Sequence, residues 1–182
     1  MQNFTFNRAL RARTKVNCAL LVLASALLLF ATDAAWASGR VRLPADEVPS
    51  THEGVVNTVE GVAIKGYDPV AYFTGGRPRL GDPKITAEFD GATWRFATEA
   101  HRKAFVADPA KYEPDFGGFC AYGVAHGNKV DIDPAAYTIV NDRLYLNVTL
   151  DVRRMWLKDL PEELADGDKN WPTVKLKTDI IR

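Results

Sequence analysis

Cysteine is nearly absent: the 182-residue chain has two, at positions 18 and 120. With no C-x-x-C pair, neither a disulfide scaffold nor a short dithiol motif is available. An excess of one charge is missing too. Lys and Arg number 23 against 23 Asp and Glu, with no polybasic stripe. A nucleic-acid binder needs a basic face to displace counterions from phosphates, so no nucleic-acid partner is expected. There is no G-x-S-x-G, no H-E-x-x-H and no phosphate-binding glycine loop, which removes the familiar hydrolase, zinc-protease and nucleotide-binding signatures. No internal repeat or low-complexity tract occurs. At 47% hydrophobic and 25% charged residues, the composition matches an ordinary globular domain and excludes a disordered or collagen-like chain.

What is present begins with an address. Arg8, Arg11, Arg13 and Lys15 precede an apolar stretch from Val16 to Ala31, and Ala35-Trp36-Ala37 follows. A basic region, an apolar region and an A-x-A site in that order describe a secretory signal peptide over residues 1–37, cleaved after Ala37. The run is shorter than the ~20 apolar residues that span a bilayer comfortably. The rival reading is an uncleaved anchor. No adjacent Arg-Arg pair marks a twin-arginine signal, and Cys18 lies away from the cleavage site, against a lipid-modified cysteine. A periplasmic or secreted location follows, with no stable membrane span after processing. Cleavage would remove four bases and Asp33, leaving 19 bases, 22 acids and a single thiol, Cys120. An exported chain with one thiol must bury it, pair it with another molecule, or bind something with it.

Residues 38–54 hold two prolines and no periodicity, and read as a flexible, exposed lead-in. Apolar density rises from Val55 onward, and 55–182 reads as one domain with a C-terminal helical extension. Glu60-Gly61, Asp90-Gly91 and Asn141-Asp142 predict tight turns between short strands. Asp68-Pro69 and Asp108-Pro109 predict capped helix starts with proline at the first position. Thr98 opens a helix to Asp108. Thr149 or Asp151 opens another that carries Val152, Met155 and Trp156 inward, and Pro161 starts a last short helix through Ala165. Asp131 and Asp133 read as a turn and a cap ahead of Pro134. Short strands and helices without a repeating βαβ order predict an α+β fold of β-hairpins packed with short helices.

Several of these pieces, in this order, resemble a YHS domain. The resemblance rests on Tyr67-Asp68-Pro69-Val70, on Gly91, Trp94 and Phe96, and on Phe105-Val106-Ala107-Asp108-Pro109-Ala110-Lys111-Tyr112, a span of about residues 62–125. The segment Gly117 to Gly123 and the stretch Arg143 to Asn147 are similar to a secreted bacterial branch of that family. The resemblance implies metal handling through thiols. This chain departs from the pattern where it matters: Ala71 and Ala97 stand in two cysteine positions, and His101 stands in the third.

Cys120 is then the leading candidate ligand, in a loop after Gly117-Gly118, with His126 six residues on. With His101 these could form a Cys-His-His site for copper or zinc, copper(I) being the better match to a thiolate. The expected function is a non-enzymatic metal-binding or metal-handling protein. Two rivals stand beside it. One is a structural or partner-binding module with an inert, packed Cys120. The other is a thiol redox enzyme, which needs a base beside the sulfur and a depressed thiol pKa. The protein partner is left open.

Overall fold

The computed structural model describes residues 40–41 and 55–182. The signal-peptide reading falls outside these residues. Three hairpins form at the three turns the sequence marks. Strands β2 (Thr58–Val59) and β3 (Val62–Ala63) close on Glu60-Gly61. Strands β4 (Asp82–Phe89) and β5 (Ala92–Phe96) close on Asp90-Gly91, and β6 (Asp133–Val140) and β7 (Arg143–Asn147) on Asn141-Asp142. Both central residues of each turn have positive φ, for example 46° at Asn141 and 63° at Asp142. That backbone twist matches the right-handed twist of the paired strands.

Caps set the helices. Asp68 accepts from the Val70 and Ala71 amides and starts α1 (Pro69–Thr74). Thr98 accepts from His101 N and starts α2 (Glu99–Ala107), and Thr149 accepts from Val152 N and starts α5 (Leu150–Trp156). The Asp108-Pro109 device works only in part. Helix α3 (Pro109–Tyr112) begins there, but the Asp108 side chain makes no capping bond.

Two small sheets result, so the architecture is α+β. One runs β2-β3-β5-β4, with β3 and β5 parallel; the other runs β1-β6-β7. Strand β1 is Arg40–Val41, parallel to Ile139 and Val140 of β6. The rest of the 38–54 lead-in lies outside the described residues. The open edge of β6 offers unpaired backbone groups that two residues of the lead-in occupy.

The β6–β7 hairpin is apolar on both faces and divides the core. Ile139, Leu144 and Leu146 face one cluster, built on Trp94, Phe96 and Phe105. Val140 and Tyr145 face a second, built on Phe116, Trp156, Leu164 and Trp171. Strand alternation with period two makes this split unavoidable once both faces are covered.

The second cluster explains two corrections. The last helix, α6, runs Leu160–Val174, well beyond Ala165. Gly167 would normally weaken a helix, but a Cβ there would lie 2.7 Å from the Phe116 ring. The ring seats against the bare backbone, and packing overrides propensity. Within α5, Trp156 is buried and Val152 half-buried, whereas Met155 is exposed, off the buried stripe.

Phe105 lies at the centre of the first cluster, its ring 5.1 Å from Trp94, 5.2 Å from Phe96 and 5.7 Å from Phe89. Phe105→Ala is expected to cost about 3–5 kcal/mol in urea unfolding. A loss below about 1 kcal/mol, the size of an ordinary substitution, would show that these rings do not form the core.

Candidate functional site

The glycine-rich segment folds into a tight turn at Asp115–Gly118 followed by a short helix, α4 (Ala121–Ala125). The turn depends on Gly117, whose φ is +59° and whose missing Cβ would lie 1.8 Å from the Val55 carbonyl oxygen. Cys120 is the N-cap of α4: its Sγ accepts from Gly123 N at 3.4 Å and donates to Asn147 Oδ1 at 3.6 Å. Its residue is 1% exposed. Burial pushes the thiol pKa up, against the opposing pull of the Gly123 amide. A redox or nucleophilic thiol needs the reverse.

His126 caps the other end of α4, half exposed. Its ring lies 4.1 Å from the Tyr122 ring, and Nδ1 donates to Tyr122 O at 2.9 Å. The nearest carboxylate oxygen is Glu163 Oε2 at 3.8 Å. His126 and Cys120 share no hydrogen bond, and His101 belongs to another set of partners. Among the described residues, no three His, Cys, Asp or Glu side chains are placed to hold a metal ion. The Cys120–His126–His101 triplet expected from the sequence is not brought together. The sulfur is committed to the cap and the β7 edge, while the two imidazoles serve different helices.

His101 has the more elaborate setting. It lies in the first turn of α2 with Nδ1 2.6 Å from Asp68 Oδ2. Asp68 is 0% exposed. Its Oδ1 accepts from Val70 N at 2.9 Å and Ala71 N at 3.3 Å, and Oδ2 also accepts from Ala97 N at 2.7 Å. A carboxylate only accepts, so Nδ1 carries the proton and Nε2 is free for other partners. Nε2 sits 3.4 Å from Thr74 Oγ1, whose single proton goes either to Nε2 or to Val70 O at 3.1 Å. His101, Thr74, Ala71, Gly75, Arg77 and Arg79 line a groove of about 310 Å³. Asp68 N donates to Arg79 O at 2.8 Å, and Tyr67 bridges Leu80, so the arginine segment is tied to the same aspartate.

A second buried polar cluster is structural. Asn57 Nδ2 donates to Gly118 O and Asp131 Oδ1, both at 3.2 Å. Lys65 Nζ reaches Asp131 Oδ2 at 2.9 Å and Ile132 O at 2.7 Å. Burial raises the Asp131 pKa, but Lys65, the Ile132 amide and Asn57 outweigh it and hold the carboxyl below its usual range. Ile64 and Lys65 take φ of 40° and 57° to deliver the lysine. A cleft of about 520 Å³ opens beside this clamp, between Lys65, Arg95, Glu60 and Asp131. Its charges are of both signs, and Lys65 is spent on Asp131. Lys129, near the same segment, is buried with Nζ on the Lys175 and Lys177 carbonyls.

Comparison with known protein families, with curated proteins and with solved structures finds no match to this chain. The site therefore rests on its own geometry. In the residue order His101 stands out, Asp68 has the signature of a helix cap alone, and Arg77 and Arg79 carry no local signal. The available signal was His101 itself, an ionisable side chain in the first turn after a Thr cap and 33 residues from a second cap with spare acceptors.

The thiol can be checked directly in a chain carrying Cys18→Ser. Native Cys120 is expected to react slowly with a maleimide at pH 8, and one equivalent should react after unfolding in guanidinium. Because the native thiol titrates above its ordinary range, its rate should keep climbing past about pH 8.5, where a free thiol is already half ionised. Fast reaction at neutral pH would show an accessible, activated sulfur.

Proposed function

We propose that this chain is an exported, non-enzymatic binding module of YHS type, with its ligand site in the groove before His101 and Cys120 acting as a packing and capping group. The observation that carries the reading is the Asp68–His101 pair. A buried carboxylate saturated with donors orients one imidazole, and that imidazole borders a concave surface. Binding sites characteristically use this combination of a fixed polar group and an underlying partner that sets its tautomer.

Ala71 and His101, two positions where the resembled family places thiols, share the groove wall, which supports the groove as the place where such a module works. The thiol set itself is replaced, and the groove offers one imidazole and no carboxylate with spare lone pairs. A soft-metal site of the usual kind needs more ligands than that. Export rests on the N-terminal pattern of Arg8 to Ala37. No helix among the described residues is long and apolar enough to cross a membrane.

Two measurements test this reading. Mass analysis of the protein released from its host is expected to give a chain starting at Ser38; an intact Met1 product would point to a retained anchor. Backbone amide spectra recorded with Zn(II), Cu(I), inorganic phosphate and succinate in turn are expected to show at least one probe moving residues 71–79 and 97–101. Cys120→Ser should leave that response intact and His101→Ala should abolish it. A response centred on residues 118–124, or silence to all four probes, would overturn the groove as the ligand site.

A further inference from the structure

We infer that the groove before His101 receives a small, multiply charged oxyanion, held by Arg77 and Arg79 beside the His101 ring. The inference rests on the groove being the ligand site and adds what chemistry it selects. Three observations carry it. First, the formal charges lining the wall are of one sign: Arg77 and Arg79 border the cavity and no Asp or Glu does. The nearest carboxylate, Asp68, is fully buried with both oxygens occupied by backbone amides and the imidazole. Glu99, on the exposed start of α2, is engaged by Arg102 Nε at 2.8 Å. Second, neither Arg77 nor Arg79 makes an ion pair with a described residue, and a guanidinium fork matches a planar or tetrahedral oxyanion.

Third, the segment bearing them is anchored. Pro78 separates the two arginines, Asp68 N holds Arg79 O, and Gly81 N donates to Gly66 O at 2.9 Å. An isolated surface arginine contributes little to binding. Two of them lining, with a fixed imidazole, one cavity of about 310 Å³ make a concave site with few polar groups. The same features disfavour a cation, because a metal ion at His101 Nε2 would face two uncompensated positive charges and find no thiolate or free carboxylate.

The test titrates the mature chain at low ionic strength with inorganic phosphate and, separately, with succinate, following the His101 ring and the 71–79 amides by NMR. The larger cleft by Lys65 serves as an internal control. Saturable shifts confined to the groove are expected, and the tighter of the two probes distinguishes a phosphate-like from a dicarboxylate ligand. Arg77→Gln with Arg79→Gln should weaken binding at least about tenfold, while Lys103→Gln, a charge loss on exposed α2 outside the groove, should change it less than about twofold. Equal weakening by Lys103→Gln would reduce the effect to general charge attraction and overturn the inference, as would anion silence. If Zn(II) or Cu(I) alone moves the groove, the oxyanion inference fails while the groove stands as the ligand site. If every response centres on Cys120, the groove reading itself fails.

Discussion

An ionised carboxylate removed from water is tolerated only when its lone pairs are filled, since the desolvation cost otherwise drives it to protonate or to the surface. Asp68 meets that condition with three backbone amides and one imidazole, and the arrangement around it follows from that need. The Val70 and Ala71 amides come from the first turn of α1. The Ala97 amide comes from the junction where β5 ends and α2 is about to start. His101 comes from the first turn of α2. One side chain therefore fixes the mutual position of two helices and the end of a strand. Through its own backbone N–H it also holds the loop that carries Arg79. The groove is the space these constraints leave.

The thiol illustrates how a buried sulfur is committed to packing and capping. Cys120 lies where the chain leaves the Asp115–Gly118 turn, runs beside β7 and enters α4. Its sulfur occupies the position that a serine or aspartate side chain would take in capping the Gly123 amide, and Asn147 of β7 accepts its proton. A sulfur is a weak partner in both roles. It suits a position in the same core cluster as Leu144, Leu146 and Ile132, however, because its apolar bulk packs where a carboxylate would be costly. Its place in the first core cluster explains how Cys120 stays unpaired.

Hairpin β6–β7 gives the domain its two-sided core, and the long α6 closes the second side. Here the deciding contacts are distant in sequence: Phe116 against Gly167, Phe119 near Trp171, and the buried Lys129 ammonium on the carbonyls that follow α6. None has a local signature. A glycine inside a polar-looking stretch reads as a stop, and a lysine reads as solvated. Each acquires its role only when a partner some forty or more residues away arrives.

The sequence by itself determined whatever depends on a few adjacent residues. Asp90-Gly91 and Asn141-Asp142 adopt left-handed backbone cheaply, so the hairpins were legible. Asp68, Thr98 and Thr149 precede runs with helical spacing and carry oxygens that reach the first free amides, so the helix starts were legible as well. The tertiary structure alone decided which polar side chains would meet. His101 could be singled out from its position, but its partner Asp68 already had a local explanation as a cap, and nothing in one dimension reveals that a carboxylate has acceptors to spare. Arg77 and Arg79 gain significance only from sharing a concave wall with that imidazole. Local propensity is set by the covalent chain within a turn or two, whereas a site is a meeting of side chains whose separation in space the chain order does not encode.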